Sequence, residues 1–153
     1  MNTDMLHNAP LWAALLGFIL AQAIKPLINL FIEKKFDTHL FFSTGGMPSS
    51  HTAGVIALST SIGMTTGPGS VAFALAIAFS AITIHDAMGI RRAAGKQAEV
   101  INEWSMILAD IHKDGRFTEE HLKTMLGHSF SQVFGSIIFG LIVGYVTTVL
   151  IIG

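Results

Sequence analysis

Gly45-Gly46-Met47-Pro48-Ser49-Ser50-His51-Thr52 is the stretch whose reading decides the fold. Two glycines lead into a proline, two hydroxyls and a histidine, and an apolar run begins immediately after them. Ser49 or Ser50 suits the N-cap of a helix. The start of that helix exposes N–H groups and a partial positive charge, which together favour an anion. His51 adds a group that gives or takes a proton near neutral pH. The plainer alternative is a capped helix start after a glycine turn. The helix predicted from His51 to Met64 is short for a lipid-facing span. It is rich in small residues (Ala53, Gly54, Ala57, Ser59, Ser61, Gly63), so it is expected to pack inside a bundle.

Outward from this stretch the chain reads as membrane protein. Of 153 residues, 51% are hydrophobic and 12% charged, and the mean hydropathy is +0.59. A soluble domain carries about 25% charged residues. The length suits a single domain, 1–153. With no cysteine there is neither a disulfide frame nor a thiolate site. No basic stripe with interleaved aromatics suggests nucleic acid. Met1 to Asn8 lacks a basic stretch and does not read as a cleaved signal peptide.

The expected fold is an all-α integral membrane bundle of about four transmembrane helices. Pro10–Ile32, His51–Met64, Ser70–Met88 and Ser129–Ile152 are the predicted spans. Between the third and fourth lies the only long polar stretch, Ala93 to Leu126. In it Val100, Ile101, Trp104, Ile107, Leu108 and Ile111 recur at helical spacing. This predicts an amphipathic insertion that lies at the interface or covers the bundle. Thr118 is expected to cap a second short helix ending near Gly127. The many small residues in the spans suit a homo-oligomer as well as close packing within one chain.

Gln22, Lys25 and Asn29 share one face of the first span. A lysine inside a span marks a functional site unless it snorkels to the interface. Eight of the nine Lys and Arg fall on one side of the four-span arrangement, and Lys25 is the ninth. The positive-inside rule puts that side in the cytoplasm and both termini outside the cell membrane. On the basic side gather Lys25, Ser49, Ser50, His51, His85, Asp86, Arg91, Arg92 and His128. Cations and helix N–H groups suit the oxygens of a phosphate, and paired histidines suit attack and protonation. Asp86 needs a partner near the membrane, either Arg91 or Lys25. Arg91 and Arg92 also read as ordinary positive-inside anchors. Ser129-x-x-Gln132 fits a capping box. No spacing of zinc ligands is present.

Pro48-Ser49-Ser50-His51-Thr52 resembles the P-S-G-H motif of the phosphatidic acid phosphatase type 2 family, related to vanadium haloperoxidases and bacterial acid phosphatases. The strings GGMPSSHTA, HDAMGIRRAAGKQA and LGH look like the divergent membrane branch of that family. The resemblance implies a phosphatase without metal or other cofactor, acting on a lipid phosphate or polyprenyl diphosphate through a phospho-histidine. It implies that His128 is the nucleophile and His51 the general acid. Lys25, Ser49, Ser50 and Arg91 or Arg92 would bind phosphate, with Asp86 and Gln132 in support. The family's third motif would be split by the amphipathic insertion, its arginine closing span three and its histidine opening span four. Two family features are missing. Ile32 and Glu33 stand where the first motif has Arg-Pro, and Gln132 stands where an aspartate orients the nucleophile. Lys123 is the basic residue just upstream. A glutamine cannot stabilise imidazolium as a carboxylate does. The alternative is a non-catalytic protein that binds lipid phosphates or carries small solutes.

Overall fold

The computed structural model describes residues 5–34, 36–43, 45–111, 121, 122, 124 and 126–153. Five helices make up the described fold: α1 (Ala9–Glu33), α2 (Ser50–Thr66), α3 (Val71–Met88), α4 (Ile90–Ile111) and α5 (Phe130–Ile152). Short 3-10 turns occur at Met5–His7 and Thr38–Phe41. The helix starts follow their caps. Asn8 accepts from the Leu11 N–H at 3.1 Å ahead of Pro10, and Ser70 accepts from Phe73 N–H at 3.1 Å. At α5, Ser129 and Gln132 form the reciprocal capping box.

Three helical segments are long and apolar enough to cross a membrane: Ala9–Phe31, the run beginning at Val71, and Phe130–Ile152. With 17 residues, α2 extends about 26 Å, slightly less than a hydrocarbon core of about 30 Å. It lies at the centre of the bundle, packed against α1, α3 and α5.

Small residues bring the three backbones together. On α1 the buried positions recur every fourth residue: Ala9, Ala13, Gly17, Ala21 and then Lys25. A Cβ at Gly17 would stand 2.9 Å from the Ala53 carbonyl oxygen. One at Gly140 would stand 2.7 Å from the same oxygen, and one at Gly144 2.6 Å from that of Ala57. Substitution there forces helices apart, because lipid is as apolar as the side chains and only close packing holds the helices together. Hydroxyls add short links: Ser59 to Ser80 at 2.9 Å between α2 and α3, and Thr148 to Ser61 at 2.7 Å between α5 and α2. The outer faces are apolar and exposed, with Phe31 at 85% and Leu150 at 79%. In a bilayer these surfaces meet acyl chains.

The polar insertion differs in part from expectation. Its helix, α4, begins at Ile90, directly after Gly89 closes α3 by donating to the His85 carbonyl at 2.8 Å. Its apolar residues do not cover the bundle: Val100, Ile101, Trp104, Ile107 and Ile111 are all exposed. The buried side of α4 is formed by Gly95 and Ala98. The short helix expected to end near Gly127 is absent from the described part of that segment, since His121, Leu122, Thr124, Leu126 and Gly127 are not helical. Asn102 is the physical reason. Its side chain accepts from Leu122 N–H at 2.8 Å and donates to Leu122 O at 2.9 Å, which occupies the backbone groups that a helix would use. The proposed cap Thr118 and Lys123 lie outside the described residues.

Candidate phosphate site at the end of the bundle

Three connections, α1 to α2, α3 to α4 and α4 to α5, converge at one end of the bundle. The loop before α2 is held by the polar face of α1. Gln22 Nε2 donates to the carbonyls of Phe41 at 2.7 Å and Ser43 at 3.0 Å, and Lys25 Nζ donates to Ser43 O at 2.9 Å. Lys25 is 1% exposed and does not snorkel. It follows Ala21 in the buried four-residue stripe, so helix geometry turns it inward. It borders a cavity of about 300 Å³ that also meets Gly46, Met47, Ser131 and Gln132.

Ser49 is the N-cap of α2. Its hydroxyl accepts from the Thr52 N–H at 3.4 Å and the Thr52 hydroxyl at 3.1 Å, and its own N–H donates to Ser136 Oγ on α5 at 2.6 Å. Ser136 thus sets the angle at which the motif meets α5, a part the sequence does not announce because 87 residues separate the pair. With Ser49 capping, Ser50 and His51 occupy the first turn, whose N–H groups have no acceptor within the helix. Ser50 is buried and His51 exposed.

The return from the insertion delivers His128. Gly127 has φ +79°, a conformation that favours glycine, and a Cβ there would stand 2.6 Å from Arg92 Cα. His128 N–H then donates to the Ala87 carbonyl at the end of α3, at 3.0 Å. The two sides of the insertion are therefore closed on one another, backbone to backbone.

A small cavity of about 40 Å³ results, bordered by Ser49, His51, Thr83, Asp86, Arg91 and His128. Arg91 borders it, whereas Arg92 lends only backbone against Gly127. Arg91 Nε donates to Asp86 Oδ2 at 2.5 Å, so Asp86 takes Arg91 rather than Lys25 as its partner. Lys25 and Gln132 border the neighbouring cavity instead. Gln132 spends its side-chain oxygen on Ser129 N–H at 3.0 Å. His128 is 4% exposed, and its Nδ1 is buried without a hydrogen-bond partner among the described residues. It precedes the membrane-spanning part of α5. Burial pushes its imidazole below the ordinary value, Gln132 beside it opposes this, and the nearby cations Lys25 and Arg91 reinforce it. The balance favours the neutral form of the imidazole. His85, one residue from Asp86, is exposed and does not border the cavity. Thr83 and Ser136 belong to the site's surroundings without a sequence motif to mark them, and Leu126 enters them as the first residue of the LGH string.

Comparison with known proteins agrees with the family resemblance. The model of the divergent PAP2 family matches residues 6–143. The chain is 38% identical over 156 residues to the uncharacterized membrane protein YuiD of Bacillus subtilis (strain 168), covering 97% of this chain and 96% of that one. No solved structure matches.

Proposed function

Because the chain belongs to the divergent PAP2 family, we propose that it is a membrane-embedded phosphatase hydrolysing a lipid phosphate or diphosphate through a phospho-histidine. The observation that carries the reading is the single cavity shared by Ser49, His51, Arg91 and His128, which come from three separated parts of the chain. His128, whose burial favours the neutral imidazole, is the nucleophile. Its nitrogen bonds to phosphorus as the bond to the leaving oxygen breaks, and His51 gives that oxygen a proton. Water then attacks phosphorus, His51 takes a proton from it, and phosphate leaves as His128 is restored. Arg91 and the first-turn N–H groups of α2 bind the phosphate oxygens. Asp86 orients Arg91. Lys25, reached through the adjoining cavity, adds positive potential and holds the loop before the motif. These groups supply the charge that a metal would otherwise provide, so EDTA is expected to leave turnover intact.

One observation favours a second reading, a lipid-phosphate binder without turnover. Gln132, where the family's aspartate is expected, caps a helix, and His128 Nδ1 has no carboxylate beside it. Phosphate release by purified protein in detergent separates the two. Phosphatidic acid, phosphatidylglycerophosphate and a polyprenyl diphosphate are tested with and without EDTA, beside His51→Ala and His128→Ala. Turnover that resists EDTA and is lost in both variants supports the phosphatase. Thermal stabilisation by vanadate with no turnover of any substrate supports the binder.

A further inference from the structure

A groove of about 580 Å³ adjoins the small cavity and shares His51, Thr83, Asp86 and Arg91 with it. Its floor is one face of α2, where His51, Val55 and Leu58 follow at helical spacing. One wall is α1, with Leu15 and Phe18, and the other is α3, with Phe79 and Ile82. Its charges, Asp86 and Arg91, lie at the His51 end with Thr83, and the rest of the lining is apolar. Phe79 and Ile82 are exposed, so the groove is open along a side that faces lipid in a bilayer. Phe18 also meets the His51 ring edge-on, with centroids 5.4 Å apart and planes at 84°, so the groove wall and the candidate acid are in direct contact.

We infer that this groove binds the hydrocarbon chain of the same molecule whose phosphate occupies the small cavity, admitting it sideways from the leaflet between α1 and α3. The inference rests on the phosphatase-like reading for the headgroup and adds the subsite for the tail. The occupant follows from the polarity gradient. An anion-binding end that continues without a break into an apolar trough fits an amphiphile, whereas free phosphate would leave the trough unused. From His51 to Leu58 the floor runs seven residues, or about 10 Å of helix axis, enough for roughly eight extended carbons. Carbons beyond that lie outside the groove, among lipid, and carry no selectivity. An outer acyl chain gains little by moving from bilayer to groove through burial alone, so the groove acts by packing and by aligning the headgroup with His51.

The test is photo-crosslinking in nanodiscs with two phosphatidic acid probes, followed by mapping of the labelled residues. One probe carries its diazirine about seven carbons from the headgroup and the other near the chain terminus. Expected is labelling by the first probe at Val55, Leu58, Phe79 or Ile82, suppressed several-fold by vanadate, while the second labels positions outside the groove. Leu58→Trp, and separately Phe79→Trp, fill the trough and should cut labelling several-fold, with vanadate still raising the unfolding temperature. Labelling spread over the outer face of α5 (Phe134, Ile138, Leu141), or groove labelling that ignores both vanadate and the tryptophans, overturns the inference and marks the trough as ordinary lipid contact. Because the readout is binding, it separates from catalysis. Vanadate-sensitive groove labelling without turnover rejects the phosphatase and keeps the tail site. Turnover with vanadate-insensitive labelling rejects the tail site alone.

Discussion

At the scale of single residues, His128 and Gln132 decide how the site responds to pH. Burial lowers the His128 pKa, so the neutral form of this proposed nucleophile persists below the ordinary histidine value of about 6.5. Protonation of His128 should therefore not cut turnover on descending through about pH 6.5, and the acid limb it sets should appear only at lower pH. Stability follows the same sign: the unfolded chain takes up the proton more readily, so the folded state weakens as pH drops from about 6.5 through the lowered native value. Gln132→Glu keeps the capping box, because glutamate serves at that position as well as glutamine. It also adds a carboxylate near the imidazole, which favours imidazolium, so the acid limb should move to higher pH. A pH–rate profile of both proteins checks this, and an unmoved limb would separate Gln132 from the nucleophile. The cap on Gln132 was legible from Ser129-x-x-Gln132 alone. The choice of Arg91 over Arg92 was not, because neighbours on a helix point about 100° apart and only the position of Gly127 reveals which one faces the cavity.

At the scale of elements, the insertion is held by its ends. Asn102 pins Leu122 against α4, Gly95 admits the returning backbone (a Cβ there would stand 2.7 Å from Thr124 O), and Gly127 closes on Arg92. Gly127→Ala combines an unfavourable φ with a clash against backbone, which no side-chain rotation relieves. It should cost about 2 kcal/mol or more and should remove stabilisation by vanadate, since His128 moves with it. Gly69→Ala, whose Cβ meets nothing within 4 Å, should stay within about 0.5 kcal/mol of the parent. Thermal unfolding of the two variants with and without vanadate is the measurement, and equal behaviour would sink the clamp. The amphipathic pattern of α4 was legible in the sequence. That its apolar face stays exposed was not, because periodicity identifies a face and does not say what covers it.

At the scale of the whole molecule, the bundle gathers its cations at one end, and that end has a direction in the membrane. Among the described residues, Lys34, Arg91, Arg92 and Lys96 follow the ends of α1 and α3 on the candidate-site side, with no Lys or Arg in the 65–69 turn. By the positive-inside rule that side is expected to be cytoplasmic. The absence of native cysteine allows a clean test. Lys34→Cys should react with an impermeant thiol reagent only after cells are permeabilised, and Gly69→Cys should react in intact cells. The reverse pattern would place the candidate site outside.

The sequence by itself determined the helical membrane class, a cap at Ser49 or Ser50 and one at Ser129, and the order of the motifs. These depend on composition, on 3.6-residue periodicity and on contacts within a few residues, all of which are local. Ala9, Ala13, Gly17 and Ala21 stand at four-residue spacing in the sequence, but that this face is buried and turns Lys25 inward was decided by the packing. Only the tertiary structure decided that Ser136 accepts from Ser49, that Arg91 takes Asp86, that Lys25 borders a separate cavity, and that a trough leads from His51 toward the lipid. Those outcomes depend on how closely α2 sits between its neighbours. Glycines and alanines on three helices set that distance together, so it cannot be read from one segment at a time.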